Sequence, residues 1–143
     1  MASFVYHSGK EKIMDGTFVF ESHTIKAVLL DSGHTPDQAG HDEYADISAD
    51  EVSASGTGYT AGGVTLSNLT ISRVGAIVTL DADDYVFASL TSSAAFRYVA
   101  LYDDSVAGDP LICLLDPESL QTPDGNAVVL RWNANGLVTL TDA

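Results

Sequence analysis

The stretch Ala94-Ala95-Phe96-Arg97-Tyr98-Val99-Ala100-Leu101-Tyr102 decides the fold class. Its residues alternate with a period of two. Phe96, Tyr98, Ala100 and Tyr102 fall on one side of an extended chain, and Ala95, Arg97, Val99 and Leu101 fall on the other. No glycine or proline interrupts the run, as a strand requires. Arg97 is its single charge. A buried guanidinium needs a carboxylate or carbonyl beside it, so Arg97 is read either as half of a structural ion pair or as an anchor across a subunit interface.

The same grammar extends in both directions. Downstream, Asp103-Asp104 and Gly108-Asp109-Pro110 turn the chain into Leu111-Ile112-Cys113-Leu114-Leu115. Further on, the apolar residues of 127–132 and 137–140 flank Asn133-Ala134-Asn135-Gly136, and Asn-Gly between two strands predicts a hairpin. Upstream lie strand-like residues 85–90 and 76–80. In residues 64–72 the alternation slips, and a β-bulge near Ser67-Asn68 would restore it. Residues 17–20 and 24–30 complete the set. The latter segment is apolar on both sides, so both faces are expected to be covered.

About nine short strands with frequent turns predict one all-β domain over residues 1–143: an antiparallel β-sandwich or barrel, jelly-roll-like. Residues 64–141 form the expected β core. Gly9-Lys10-Glu11-Lys12-Ile13-Met14-Asp15-Gly16 predicts a short helix within an N-terminal arm over residues 1–16. Residues 31–61 are polar and glycine-punctuated, and are read as a long irregular loop, extended as an arm or binding loop.

The chain of 143 residues carries 20 acidic and six basic residues, a formal net charge of -14. Such a surface repels phosphate backbones and anionic lipid, so neither nucleic acid nor membrane is an expected partner. The lone Cys113 lies in an apolar run and reads as a small core residue. The first residues lack a basic segment followed by an apolar core, so production in a cytoplasm without a signal peptide is expected.

Two groups of side chains could hold a cation. His34, Asp37, His41 and Asp42 offer nitrogen and oxygen ligands, although their spacing fits no structural zinc pattern. Asp81, Asp83 and Asp84 form a carboxylate cluster of the kind calcium takes, but lack the alternating ligands and distal Glu of a calcium loop. The expectation is a protein with no metal and no cofactor. No nucleophile motif occurs, and Gly56-Thr57-Gly58 and Gly62-Gly63 lack the lysine of a phosphate-binding loop. The chain is therefore not expected to be an enzyme.

Several segments carry a likeness to a known group. They are Tyr6-His7-Ser8-Gly9 with Lys12-Ile13-Met14-Asp15-Gly16, the run Thr24-Ile25-Lys26-Ala27-Val28-Leu29-Leu30-Asp31, and His41-Asp42-Glu43-Tyr44-Ala45-Asp46-Ile47. Gly56-Thr57-Gly58-Tyr59-Thr60-Ala61-Gly62-Gly63, Arg97-Tyr98-Val99-Ala100-Leu101-Tyr102 and Trp132-Asn133-Ala134-Asn135-Gly136 continue it. The chain resembles small structural proteins encoded among the virion-assembly genes of tailed bacteriophages. That resemblance implies a virion component assembled in the host cytoplasm, in the first place a capsid cement or decoration protein. Such a protein is a homotrimer seated on the major capsid protein and stabilises the head. A tail or fibre component is the alternative within the same class. A carbohydrate-binding module is the alternative outside it, with Tyr85, Phe87, Tyr98, Tyr102 and Trp132 as the aromatics that would stack on sugars. In the particle reading, the irregular first part reaches for neighbours through Phe4, Val5, Tyr6, Tyr44, Ile47 and Tyr59, and Arg97 of the 94–102 strand joins them as an expected interface residue.

Overall fold

The computed structural model describes residues 3–142. In chain order its elements are β1 (Phe4–Val5), α1 (His7–Met14), β2 (Ile25–Leu30), β3 (Val64–Thr65), β4 (Thr70–Val74), β5 (Ile77–Asp81), β6 (Tyr85–Phe87), β7 (Tyr98–Asp103), β8 (Leu111–Leu115), β9 (Val128–Leu130) and β10 (Val138–Leu140). Single 3₁₀ turns occupy Tyr44–Asp46, Ser48–Asp50 and Ser92–Ala94.

Every strand pairing is antiparallel. The main sheet has the order β1-β8-β7-β2-β3, and β10-β5-β4 and β6-β9 form two smaller sheets. The protein is thus all-β with one short helix. The sheets stay open, so the sandwich form of the expectation holds and the barrel form does not.

Strand β2 shows how the layers arise. Ile25, Ala27 and Leu29 point to one side and meet Val99 and Leu101 of β7, with Leu80, Phe87, Leu130 and Val138 from the two smaller sheets. Val28 and Leu30 point to the other side and meet Tyr6, Ile47, Ala100 and Tyr102. Both faces of the main sheet are therefore buried, as the two-sided apolar pattern of residues 24–30 predicts. Fully burying each such side chain stabilises by roughly 1.5–3 kcal/mol.

A bulge in β8 adds to the first core. The register moves from Leu101↔Cys113 to Tyr102↔Leu111, so Ile112 is the extra residue. Ile112 and Cys113 then both face the same cluster, where alternation alone would part them. Helix α1 lies directly on this bulge. A Cβ on Gly9 would sit 2.7 Å from the Ile112 carbonyl oxygen and 2.9 Å from that of Leu111. Only glycine allows this approach.

Four sequence expectations are corrected. Residues 17–20 form no strand; Phe18 and Phe20 instead drop into the core from an irregular turn. There is no bulge at Ser67-Asn68. The chain leaves the main sheet after β3, passes through Asn68 at φ 52° and enters β4 of another sheet. Phe96 does not share a face with Tyr98, because the regular strand begins only at Tyr98, and Phe96 bridges to Gln121 and packs in the opposite cluster. Finally, β9 and β10 do not pair as a hairpin. The turn exists, with Gly136 N–H donating to the Asn133 carbonyl at 2.8 Å. Its two arms part, β9 to β6 and β10 to β5. Local turn chemistry was satisfied while longer-range pairing chose the partners.

Candidate functional site

The segment over residues 31–61 is no extended loop. It folds across the second face and one edge of the main sheet and is fastened there by Glu51. Leu30 and Glu51 form an antiparallel bridge, and Val52 N–H donates to the Leu29 carbonyl at 3.0 Å. Glu51 Oε1 accepts from the Tyr59 hydroxyl at 2.6 Å and from Gly62 N–H at 2.8 Å, while Oε2 accepts from the Tyr44 hydroxyl. The Tyr59 hydroxyl also accepts Leu29 N–H at 3.2 Å. Tyr102 donates to the Gly62 carbonyl at 2.6 Å, and its ring stacks on Tyr44 at 4.8 Å. Burial first, and then the bond to Glu51, push the Tyr44 and Tyr59 hydroxyls above the ordinary tyrosine range. They stay protonated and act as donors. β3 is only two residues long, and this network seals the edge of β2 beyond it.

The expected interface residues are therefore mostly internal. Tyr6 and Ile47 are 0% exposed and Tyr59 is 4% exposed. Phe4 and Val5 are half-buried in β1 opposite Leu114 and Cys113, and the Phe4 ring stands edge-on to Tyr6 at 5.1 Å. Tyr44 is half-buried against Tyr102. These residues read as arm anchors because a polar stretch with sparse aromatics suggests reach. The sparse apolar residues instead plug the chain's own sheet. The acids between them serve the backbone: Asp37 Oδ1 accepts from the amides of Ala39 and Gly40, and Asp46 Oδ2 from those of Asp42 and Glu43. The Gly40 and Glu43 amides are the leading cause that holds each of these two carboxyls below its ordinary range.

His34 is buried, with Nδ1 2.7 Å from Asp50 Oδ2 and its ring 5.5 Å from the ring of His41. Asp37 and Asp42 do not join them, since Asp37 is turned to amides and Asp42 is exposed. At the other candidate cluster, Asp83 accepts from Asn68 at 2.6 Å, and Asp84 from the Trp132 amide at 3.0 Å. No group of three or more His, Cys, Asp or Glu side chains able to hold a metal ion occurs among the described residues. Sequence reasoning missed one pair. His23 Nδ1 lies 2.6 Å from Oδ2 of the buried Asp103, 80 residues away. No local signal could have joined them.

Arg97 forms a bidentate pair with Asp116, Nε to Oδ1 at 2.9 Å and Nη2 to Oδ2 at 3.1 Å. The ion-pair alternative is realised within one chain. Burial pushes the Asp116 carboxyl up, but the guanidinium and the Glu118 amide outweigh it and hold it at about 2. Beside the pair runs a groove of about 570 Å³, bordered by Phe96, Leu115, Val128, Trp132 and Asn133. Trp132 is fixed there by its indole N–H, which donates to the Asp83 carbonyl at 2.7 Å. The other expected stacking aromatics build no platform with it: Phe87 and Tyr102 are buried, Tyr98 packs in the opposite cluster, and Tyr85 lies edge-on to Phe87.

The surface that is not used internally lies elsewhere. The β4–β5 hairpin is exposed along the whole of β4. Register places Ile71, Arg73, Val78 and Leu140 on one face and Val74 and Ile77 on the other. Val74 is 79% exposed, Ile71 49% and Ile77 46%. A depression of about 70 Å³, walled only by apolar side chains including Ile13, Phe20 and Ile71, lies under the first face. The outer edge of β4 is partly capped, because Glu21 Oε1 accepts the Ile71 amide at 3.1 Å. Compared with known protein families, characterised proteins and solved structures, the chain matches none.

Proposed function

We propose that this chain is a structural subunit of a tailed-phage virion, most directly a capsid cement or decoration protein that sits on the major capsid protein and stabilises the head. The observation that carries the reading is the division of labour in the fold. One part is a body whose main sheet is covered on both faces. The other is a β-ribbon that presents apolar side chains on both faces. A body of this kind supplies stiffness, and a ribbon of this kind supplies contact. The likeness of the sequence to small virion proteins supports the same reading.

The test is to purify intact particles and locate the chain. Copurification with the shell at many copies per particle is the expected result. Recovery only on isolated tails sinks the cement role and leaves a tail or fibre component.

A second reading has one feature in its favour, the groove beside Trp132. An indole held rigidly at the border of a groove of ligand size suits the stacking face of a sugar. A glycan array tests it, and silence across the array removes the carbohydrate-binding reading.

A further inference from the structure

We propose that the β4–β5 hairpin is the surface through which one copy of this chain docks on a second copy, head to tail. This deepens the particle reading, and rests on it, by naming the partner of the exposed ribbon.

Three observations converge on it. The first is burial. Exposed apolar side chains grouped in one place mark an interaction surface, and the tip of this hairpin groups them on both faces. In the single chain the outer half of the hairpin is bare, with Val74 and Ile77 paired on one face and Ile71 beside Arg73 on the other.

The second is charge. No Asp or Glu occurs from Val52 to Leu80, and Arg73 is the only ionisable residue from Val64 to Leu80. Lys26, Arg97 and Arg131 each pair with a carboxylate of their own chain. Arg73 makes no ion pair among the described residues. An apolar ribbon with one unpaired cation complements an acidic surface, and a second copy presents one, with 20 acidic residues against six basic. Elsewhere on the molecule, two copies at net -14 repel each other.

The third concerns geometry. Glu21 occupies the Ile71 amide on the outer edge of β4, which disfavours plain edge-to-edge strand addition. Contact therefore runs through the faces and tip of the ribbon. Two hairpins meeting symmetrically would also bring two Arg73 side chains together without counter-ions. A heterologous contact places Arg73 among carboxylates, and such a contact closes into a ring when its rotation allows.

The experiment is the solution mass of the full chain by light scattering, up to about 100 μM, beside the variants Val74→Asp/Ile77→Asp, Arg73→Glu and Val86→Asp. A multiple of the 15.0 kDa chain mass is expected for the parent. The double variant should run at the single-chain mass, and Arg73→Glu should weaken association at least tenfold. Val86→Asp, at an exposed site on a different sheet, should associate like the parent. All substituted side chains are exposed, and circular dichroism checks that each variant folds. A parent that stays at the single-chain mass throughout overturns the proposal, as does an oligomer untouched by Arg73→Glu. A monomeric parent that still copurifies with heads refutes self-docking and leaves the virion role standing. An oligomer absent from particles does the reverse.

Discussion

Replacing Glu51 by alanine tests whether the covering segment is held mainly by one carboxylate. The substitution leaves the hydroxyls of Tyr59 and Tyr44 and the Gly62 amide without their acceptor. A buried donor stranded in this way costs about 1–3 kcal/mol. Tyr59 is buried and bears the middle of that range, about 2 kcal/mol. Tyr44 and Gly62 are half-exposed and can turn to water, so about 1 kcal/mol each is assigned to them. The sum, about 4 kcal/mol, is a large share of the ~5–15 kcal/mol available to a domain. With a urea slope of about 2 kcal/mol/M, the unfolding midpoint should fall by about 2 M. Glu51→Gln keeps the shape and one acceptor oxygen and should cost less than half as much. Equilibrium urea unfolding, followed by circular dichroism, reads both. If Glu51→Ala lies within about 0.5 kcal/mol of the parent, Glu51 is not the fastener. A lowered slope for Glu51→Ala would mean that the segment had already left the sheet in the folded state.

Three further outcomes follow from particular contacts. The Asp116 carboxyl is depressed to about 2 in the fold, so its contribution is present above the unfolded value near 4 and is lost as the pH falls through about 2. The melting temperature of the parent should drop in that window, and the drop should shrink in Asp116→Asn; equal slopes would refute the assignment. Gly9→Ala should destabilise by about 1–3 kcal/mol, even though alanine is the better helix former by about 1 kcal/mol, because the new Cβ would meet two carbonyl oxygens of β8. A melting temperature at or above that of the parent would show that α1 can shift. Burial pushes the Cys113 thiol up to about 12, so a thiol reagent should be silent towards the native protein at pH 8 and react at once in urea. Rapid labelling without denaturant would place Cys113 outside the core.

Strand content was legible wherever periodicity and burial coincide. Residues 24–30 and 98–102 alternate, and both sides of each are apolar, so β2 and β7 emerge with both faces covered. Partner choice was less legible. The Asn-Gly turn at residues 135–136 closes as its chemistry requires, yet the β-pairing of its arms is decided by β5 and β6, far off in the chain. The covering segment was hidden for a related reason. Its apolar residues, Ile47, Val52 and Tyr59, follow no strand or helix period, because each reaches the sheet from a different turn. The exposed ribbon was harder to place: residues 70–80 alternate polar Thr70, Ser72 and Thr79 with apolar side chains, which reads as a strand with one face on the core. Only the fold shows that Leu80 at its base is buried while Ile71 opposite it and Val74 and Ile77 at its tip are exposed.

The carboxylates of the covering segment have a consequence for how it forms. From Ala27 to Ser72 there is no lysine or arginine, while Asp31, Asp37, Asp42, Glu43, Asp46, Asp50 and Glu51 crowd into the 21 residues from 31 to 51. A calcium loop wraps carboxylates around a metal and orders its backbone in passing. Here the arrangement is turned inside out: the side-chain anions of Asp31, Asp37 and Asp46 template the loop by gathering its own amides. The remaining like charges strain against one another, and mobile ions must screen that strain. Added salt should therefore tighten the cover, so this loop takes its counter-charge from the surrounding solution.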